Sequence, residues 1–573
     1  MKGKKLKDLI QFFLLLAIVV VVNVIVSVKF FRVDLTSEGR YSLSDATKDL
    51  LQSFDEPLLV KVYLQGNFPA DFQRLQRETK QMLDEFRAYN SNVEYQFIDP
   101  AASEDPKTNR ELADQLQYKG LKSYELNVKE KDGSSVQQVF PGAIMNYGEK
   151  EVAVSLLIDQ LGVSPERQIN ASVQNLEYAL ANSIKSMVAA NKPSIGFLQG
   201  HDELTPRQMA DFARILSQNY NVSVFDLRKL EQDSITGEID LQAHQRNLNR
   251  FNALVVAKPQ KAFNDLDKFL LDQFAMTGGK IIWLLDAVYA DMDSLSENPQ
   301  FVSFPIYDRL NLSDMLFKYG VRVNTNLVLD KVAAGVSDTR QIYPWIYFPM
   351  VMPQVNHPIT KEISGIKLEF PSSVDTVKAV GVKKTVLLRS SPYSTVLATP
   401  HIVKVSTLFK PPGDERFKDK NVPLAVLLEG EFESSFKNRI KPKASNAGAL
   451  KFKEQSQETE MLVVADGDIA RNQLNIINPN IPKGAPLPLG FDQYTQAQYG
   501  NSDFLENAVD YMLDETGLIS IRSRELKIRL LDVNSVKQNK LFWQLVNTVV
   551  PIVSIILMGL IYLFIRKRKY TSV

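Results

Sequence analysis

Three residues that could act together in acid–base chemistry stand in a row after the segment IGFLQG: His201, Asp202 and Glu203. The chain has only 4 histidines, and an imidazole beside carboxylates could exchange protons or bind a metal ion. Adjacent residues point in different directions, however, whereas motifs such as H-E-x-x-H space their ligands along one face. No nucleophile is marked nearby, so we favour a structural role over a ligand pocket, and a ligand pocket over catalysis.

The residues after this triplet indicate how the structural role would arise. Thr205 precedes Pro206, and threonine at the N-cap with proline at the first helical position is typical of a helix start. We therefore expect HDELT to close a strand and to cap a helix over residues 206–219.

A second acidic pair, Asp466 and Asp468, stands in the segment VVADGDIARNQ. Carboxylate oxygens are the ligands that Ca²⁺ and Mg²⁺ prefer, but two carboxylates alone do not make a site. An Asp-Gly-Asp turn more often caps the helix that follows it. We therefore favour the cap, and we predict no metal site and no cofactor.

The elements that would position these residues form an alternating series. The segments PSIGFLQG, YNVSVFDL, NALVVAKP and GGKIIWLLDA read as strands separated by helices, which predicts a parallel sheet with helices on both faces. Ligands bind such sheets at the carboxyl ends of the strands. The candidate ligand-binding residues at those ends are His201, Asp202, Glu203, Asp286, Asp466 and Asp468.

The region before this series has its own pattern. LLVKVYL and VEYQFIDP read as strands with a helix between them, and a short helix and the hairpin SYELNVKEKDGSSVQQVF follow. Strand, helix, strand, helix and hairpin is the order of a thioredoxin-like domain. The chain contains no cysteine, so disulfide, thiol and cysteine–zinc chemistry are excluded.

A third, strand-rich region carries the aromatic run Tyr343–Phe348. Trp345 and Tyr347 within it could stack on a carbohydrate ring or dock on a partner. The alternative is that the run forms the core of this region, and the sequence does not separate the two interpretations.

Two apolar segments are long enough to cross a membrane: Leu9–Val28 and Leu541–Ile565. The lysine-rich start, with no small-residue cleavage site, predicts an uncleaved anchor with both termini cytoplasmic and the bulk of the chain outside. Gln544, Asn547 and Thr548 share one face of the second helix, which suggests contact with a membrane partner.

Charge and motifs exclude some functions. Net charge is +1, and the body between the basic ends is mildly acidic, which argues against a nucleic-acid partner. A phosphate-binding loop needs G-x-x-x-x-G-K-[ST]. When Gly279 and Lys280 of TGGKII are aligned with the G-K of this motif, Phe274 stands where the first glycine belongs and Ile281 stands where serine or threonine belongs. We therefore expect no ATPase in this chain.

Four segments resemble a known family: VDLTSEGRYSLSDATKDLL, PLAVLLEGEFESSFKNR, VVADGDIARNQL and the string from Pro486 to Asp532. They are similar to the GldG-like auxiliary, substrate-binding-type subunits of gliding-motility ABC transporters. The resemblance implies a subunit of the bacterial inner membrane with a periplasmic body, working with a permease subunit and a separate ATPase subunit. It also implies a middle domain similar to class I glutamine amidotransferases, whose cysteine nucleophile follows the strand that here reads IIWLLDA. Asp286 and Ala287 occupy that place, so we expect the chemistry to be lost.

The expected fold class is α/β, with two terminal transmembrane helices flanking a thioredoxin-like domain and a doubly wound, amidotransferase-like domain with a strand-rich insertion. The expected boundaries are a basic start at 1–8, a transmembrane helix at 9–28, the thioredoxin-like domain at 33–165, a linking helix at 166–192, the amidotransferase-like domain at 193–330 and 421–520, the insertion at 331–420, a transmembrane helix at 541–565 and a basic tail at 566–573.

The expected function is a non-catalytic subunit that binds a ligand, such as an envelope component or carbohydrate, or an envelope partner. Two alternatives stay open. One is a structural linker between the membrane complex and the envelope or motility apparatus. The other is an exported hydrolase that uses a cleft between His201 and Asp286.

Overall fold

The computed structural model describes residues 10, 12–21, 42–130, 133–158, 160, 163–189, 191–230, 240–292, 299–337, 341–441, 452–523, 536 and 539–571. The chain forms two compact units. One comprises residues 1–32 and 42–524, and the other comprises residues 33–41 and 525–573.

The first unit begins with an apolar helix, α1 (Phe12–Val21), and continues with a mixed α/β region. Its elements are α2 (Asp45–Gln52), β1 (Leu58–Val62), α3 (Ala70–Tyr89), β2 (Val93–Phe97), α4 (Pro106–Tyr118), β3 (Tyr124–Glu130), β4 (Gly133–Val139), β5 (Gly142–Tyr147), β6 (Lys150–Ser155) and α5 (Pro165–Val188).

Four of these strands form one sheet in the order β2-β1-β5-β6. Strands β1 and β2 are parallel, whereas β5 is antiparallel to both β1 and β6. The predicted hairpin exists as β3 and β4, but it forms a separate two-stranded sheet. The hairpin that joins the main sheet is β5–β6, which the sequence analysis did not identify.

The next part of the chain builds a seven-stranded sheet with helices around it. Its first elements are β7 (Ser194–Gln199), α6 (Ala210–Leu216), β8 (Asn221–Asp226), α7 (Leu241–Leu248), β9 (Ala253–Ala257), α8 (Asp265–Met276) and β10 (Lys280–Leu284). Every residue of β9 is buried, as expected for a parallel strand covered on both faces.

A strand-rich segment with two short helices follows. It comprises β11 (Val288–Tyr289), β12 (Gln300–Pro305), α9 (Tyr307–Leu310), α10 (Ser313–Tyr319), β13 (Val321–Val323), β14 (Asn326–Asp330), β15 (Ala333–Ser337), β16 (Ile342–Val351), β17 (Ile366–Lys367), β18 (Val374–Thr376), β19 (Val382–Arg389), β20 (Ser394–Ala398) and β21 (His401–Lys404). Most of these strands pair in small sheets of two or three strands, and β19 belongs to the large sheet. The sequence analysis had assigned β19 to the insertion.

The last elements of the first unit are β22 (Pro423–Glu433), β23 (Gln455–Val464), β24 (Phe491–Asp492), β25 (Ala497–Gln498) and α11 (Asn501–Met512). The large sheet has the order β19-β22-β23-β10-β9-β7-β8. The five strands from β23 to β8 are parallel. Strand β22 pairs antiparallel with β23, and β19 pairs antiparallel with β22.

Alternate side chains of the large sheet enter two apolar cores. Leu254 and Val256 of β9 face the core that contains Phe274 of α8. Val255 faces the other core, with Phe212 of α6. This alternation follows from the two-residue period of a strand, so the predicted two-sided packing is confirmed.

One predicted helix start is wrong. Thr205 begins a turn, in which the N–H of Gln208 and that of Met209 donate to the Thr205 carbonyl at 2.9 and 3.2 Å. Helix α6 begins only at Ala210. Pro206, with its fixed φ angle, therefore lies in this turn and does not begin a helix.

The second unit contains one long helix, α12 (Lys540–Thr571), with Pro551 inside it. Its segment Lys540–Arg568 is long and apolar enough to cross a membrane. The described part of the first predicted span, Phe12–Val21, is too short to cross by itself. The rest of that span lies outside the described residues.

Candidate functional site

The five parallel strands bring the predicted ligand-binding residues to one edge of the large sheet. Numbered along the chain, these strands lie in the order second, first, third, fourth and fifth. The direction of winding therefore reverses between β7 and β9, and such a switch point leaves a crevice at the carboxyl ends of the strands. The loops after β7, β9, β10 and β23 meet at this edge.

Three aspartates converge there. Carboxylate oxygens of Asp286, Asp466 and Asp468 all lie within 4.8 Å of one another, and all three residues are buried. Among the residues that the structure describes, this is the one acidic group with the geometry to hold a metal ion. The sequence analysis named each aspartate but could not predict their convergence.

The charge of this cluster is compensated by Lys258, which follows β9. Its Nζ lies 2.5 Å from Oδ2 of Asp468, 3.2 Å from Oδ2 of Asp286 and 3.9 Å from Oδ2 of Asp291. The sequence placed Lys258 at a strand end but did not include it among the site residues. A metal ion at this cluster would have to displace the lysine ammonium.

Backbone N–H groups fix the aspartates. Asp286 accepts a hydrogen bond from the N–H of Gly467 at 2.6 Å, and Asp466 accepts one from the N–H of Asp468 at 2.8 Å. Asp468 begins the short 3-10 helix Asp468–Ala470, whose N-cap position is Gly467 without a side-chain cap, so the expected Asp cap is wrong. Gly467 is required by space, because a Cβ there would lie 2.7 Å from that of Lys258.

Burial and mutual repulsion shift the titration of these groups. Burial raises the pKa of Asp286 to about 6, although Lys258 opposes the shift. Burial and the neighbouring carboxylates Asp468 and Asp286 raise the pKa of Asp466 well above its usual value. Burial alone would lower the pKa of Lys258, but Asp286 and Asp468 outweigh it and raise that pKa. The lysine therefore stays charged.

The structure does not place His201 in the cleft. Its ring is fully buried, with Nδ1 3.2 Å from Oε1 of Glu203 and Nε2 3.0 Å from Oδ2 of Asp267. It also stacks on Phe263 at a centroid distance of 3.7 Å. Because Asp267 belongs to the capping box of α8, His201 ties the loop after β7 to the start of that helix.

The remaining members of the triplet separate. Asp202 is exposed, lies in the left-handed region at φ 55°, and pairs with Lys261 at 2.8 Å. Glu203 is buried and accepts the N–H of His201 at 2.7 Å. The three adjacent residues thus have three different environments.

One strand end at this edge has an unusual backbone conformation. The structure has left-handed backbone at Lys258, with φ 53°, after strand β9. Left-handed backbone is uncommon for a residue with a side chain, and here it accompanies the packing of Lys258 against the aspartates.

Two cavities open along this edge. One has a volume of about 240 Å³ and the other about 440 Å³. Gln208 and Arg471 line both. The smaller cavity is also lined by Asp202, Glu203, Leu204, Lys258, Gln260, Asp286, Tyr289, Ala290, Asp291 and Ile306. The lining is polar, and its charged group Lys258 forms ion pairs with Asp286 and Asp291. Because these charges are paired, the cavity suits a ligand that is bound by hydrogen bonds.

The larger cavity contains a second buried ammonium. Nζ of Lys367 lies 2.9 Å from Oε1 of Glu369 and 3.0 Å from Oδ2 of Asp492, and it also lies 4.9 Å from the ring centre of Phe348. The sequence analysis missed Lys367, and a lone lysine in a strand gives no signal for this role.

The aromatic residues proposed for docking are buried. Trp345 and Tyr347 are 2% and 1% exposed. The indole N–H of Trp345 donates to Thr407 at 3.0 Å, and the hydroxyl of Tyr347 lies 3.1 Å from Nε2 of His401. These rings form core, in agreement with the alternative interpretation, and they do not form a docking surface.

The polar residues Gln544, Asn547 and Thr548 lie on α12 and are exposed. The hydroxyl of Thr548 donates to the carbonyl of Gln544 at 2.6 Å. This bond satisfies the hydroxyl within the helix, so the amide groups of Gln544 and Asn547 are the stronger candidates for contact with a partner.

Comparison with known proteins gives the family. The sequence profile described as "ABC-type uncharacterized transport system" matches residues 192–508, which include the large sheet and the cleft. The chain belongs to this family. As an auxiliary component of an ABC transport system, it has a permease and an ATPase as its general partners. A second profile, a domain of unknown function (DUF7088), matches residues 37–146.

Two individual proteins are similar to this ABC transport component. An "uncharacterized protein" of Borreliella burgdorferi is 21% identical over 583 residues, covering 99% of this chain and 100% of that protein. The solved "mmIFT52 N-terminal domain" has 14% identity and a TM-score of 0.31, over 56% of this chain and 96% of that one. A TM-score this low carries no conclusion about the fold.

Proposed function

We propose that this chain is a non-catalytic, membrane-anchored, extracytoplasmic subunit of an ABC transporter associated with gliding motility. The family match over residues 192–508 carries the proposal. The apolar helix Lys540–Arg568 supports the membrane anchor. The GldG-like resemblance of the C-terminal segments supports the link to gliding.

The geometry of the cleft supports the absence of catalysis. An exported hydrolase would need His201 beside Asp286, but His201 is fully buried between Glu203 and Asp267. Asp286 in turn pairs with the ammonium of Lys258. A general base must reach the proton that it abstracts. His201 does not line the smaller cavity, and Asp286, which does, is paired with Lys258.

Strand order supports the proposed domain types. The order β2-β1-β5-β6, in which only β5 runs antiparallel to the other three strands, agrees with a thioredoxin-like domain. The order β8-β7-β9-β10-β23 agrees with a doubly wound domain of the flavodoxin-like order, which the proposed amidotransferase-like domain requires. Neither domain retains a cysteine.

A ligand site at the carboxyl edge is part of the proposal. The cavity of about 240 Å³ offers Gln208, Gln260 and Arg471 as hydrogen-bonding groups beside the paired charges. A small polar ligand, such as an envelope carbohydrate, could bind these groups without a metal. A purely structural linker would leave this cavity without a ligand.

Native affinity purification tests the assembly. The full chain is tagged at its C-terminus, isolated from membranes of the source bacterium in mild detergent, and its partners and small molecules are identified by mass spectrometry. A permease and a separate ATPase should be recovered in fixed ratio. Recovery of envelope proteins alone would favour the structural linker.

Single-cysteine labelling tests the orientation, because the native chain has no cysteine. Tyr118→Cys places a thiol at a residue that is 94% exposed, and it should react with a membrane-impermeant maleimide in spheroplasts. Arg566→Cys should react only after lysis. The reverse pattern would reject the periplasmic assignment.

A further inference from the structure

A separate cavity lies where the four-stranded-sheet region meets the seven-stranded-sheet region within the first unit. Its volume is about 330 Å³. Strand β6 and helix α5 supply one wall, and helix α11 and the segment 362–364 supply the other. The lining side chains with polar groups include Asn175, Asn182, Ser183, Ser186, Gln498, Ser502, Asp503, Glu506, Asp510 and Arg522.

The junction beside this cavity is held by a buried carboxylate. Asp510 of α11 accepts hydrogen bonds from the hydroxyls of Tyr178 at 2.8 Å and Tyr220 at 2.7 Å. Tyr178 belongs to α5, and Tyr220 directly precedes β8. Asp510 therefore has fixed partners on both sides, and it is not available to a ligand.

Glu506 lies one helical turn before Asp510, on the same face of α11. It lines the cavity, and its carboxyl group makes no hydrogen bond or ion pair with a residue that the structure describes. Burial, followed by the charges of Asp510 and Asp503, raises the pKa of Glu506 to about 8. The cavity thus holds an unpartnered carboxyl group in a negative potential.

Arg522 also lines the cavity, and its two terminal nitrogens are engaged, although its Nε has no hydrogen-bond partner among the described residues. Its guanidinium donates to Oδ1 of Asn507 at 2.9 Å and to the carbonyl of Lys361 at 2.8 Å. It also stands 5.2 Å from the ring centre of Tyr178. These contacts hold it against the wall, so it does not neutralise Glu506 by a direct bond.

We propose that this cavity binds a small organic cation through a primary ammonium group, with Glu506 as its counter-ion. An ammonium has three donors and no acceptor, which matches an unpartnered carboxyl beside the amide oxygens of Asn182 and Gln498. The volume suits a small aliphatic amine. Because both sheet regions line the cavity, the bound cation would bridge them.

Binding should release a proton. At neutral pH the carboxyl group of Glu506 carries its proton, because its pKa is about 8. An ammonium brought next to it favours the ionised carboxylate. Affinity should therefore rise as the pH increases from about 6.5 toward 8.5, while an aliphatic ammonium with a pKa near 10 stays charged.

The test is calorimetric titration of the full chain in detergent with 1,4-diaminobutane, with 1,4-butanediol as the uncharged probe of similar shape. The diamine should bind with proton release, shown by a heat that depends on the ionisation enthalpy of the buffer, and the diol should not bind. Glu506→Gln should weaken diamine binding at least tenfold. The matched control is Glu111→Gln, which removes a carboxylate that is 63% exposed on α4 and should leave binding unchanged.

Three outcomes would overturn the proposal. The first is no binding of the diamine to the native chain at either pH. The second is equal binding of the diamine and the diol, which would make charge irrelevant. The third is unchanged affinity in Glu506→Gln, which would place the diamine elsewhere. Glu506→Gln keeps the shape of the protonated side chain, so we expect it to fold.

Discussion

Removal of the Lys258 ammonium should destabilise the fold in a strongly pH-dependent way. Lys258→Met keeps most of the aliphatic stem and deletes the only cation within 4 Å of Asp286 among the described residues. The side chains of Lys258, Asp286 and Asp468 are 11%, 8% and 5% exposed. The substitution would leave Asp286 without an ion-pair partner among the described residues, whereas Asp468 would keep Arg471, whose Nη1 lies 3.5 Å from its Oδ1. Little water reaches Asp286 to replace the lost ammonium.

The expected magnitude follows from the distances. At 3.2 Å and an effective dielectric constant of about 20, one ion pair is worth roughly 5 kcal/mol before desolvation is subtracted. Removal of one partner from a buried pair costs about 3–5 kcal/mol. We therefore expect a loss of about 3–4 kcal/mol at about pH 7.5, or roughly 3–6 °C in apparent melting temperature for a unit of several hundred residues.

The loss should shrink in acid. Without the ammonium, the pKa of Asp286 rises further in the folded state, because Lys258 opposes its upward shift in the native chain. The folded variant therefore keeps a proton that the unfolded chain releases. Stability relative to the native chain then falls as pH increases through that pKa. The deficit should be at most half as large at about pH 5, where protonation removes the unpaired charge.

Tryptophan fluorescence of the full chain in detergent measures this unfolding, because Trp283 is fully buried in β10. The matched control is Lys261→Met, since the ion pair of Lys261 with Asp202 is more than half exposed on both sides and should cost less than about 1 kcal/mol. The double variant Lys258→Met with Asp468→Asn should recover part of the loss. Equal melting temperatures of the two single variants at pH 7.5, or a deficit independent of pH, would refute the reasoning.

Three further predictions follow from other sites. Glu506→Gln should raise the free energy of unfolding by about 2–3 kcal/mol at about pH 8.5 and by little at about pH 5, because the raised pKa of Glu506 makes its ionisation costly only at the higher pH. Equal gains in the free energy of unfolding at the two pH values would contradict this. His201→Ala should lower the melting temperature by several degrees, since it leaves two buried carboxylates without the imidazole between them; an unchanged value would show that the ring is not structural. Replacement of Gln544, Asn547 and Thr548 by leucine should leave the outer body folded, as judged by its fluorescence melt, while permease recovery in detergent falls; full recovery would mean that the helix only anchors the chain.

Sequence patterns correctly predicted those strands and helices that depend mainly on the residues within each segment. The apolar strands β7, β9 and β10 were identified because a buried parallel strand is apolar along its whole length. The carboxyl ends of these strands meet in any parallel sheet, so the edge that gathers Asp286, Asp466 and Asp468 was also predictable. The apolar length of 541–565 likewise predicted a long helix, which exists as Lys540–Thr571.

Pairing between distant segments was not predictable in the same way. Strand β19 has a polar, irregular sequence, and only its register against β22 places it in the large sheet. Likewise, β5–β6 rather than the DG hairpin joins the four-stranded sheet, because turn residues favour a hairpin but do not choose its neighbours. Strand partners are selected by the total core that the chain can bury.

The sequence by itself determined which side chains could bind a ligand or exchange protons, and which edge of the sheet these side chains reach. It excluded thiol chemistry, since there is no cysteine, and it predicted the strand ends, whereas its predicted helix start at Thr205 and Pro206 is wrong. Only the tertiary structure decided that Lys258 compensates the aspartates, that His201 is buried away from the cleft, and that Trp345 is core. Charge compensation and burial depend on groups brought together from distant parts of the chain, and a linear pattern does not contain those distances.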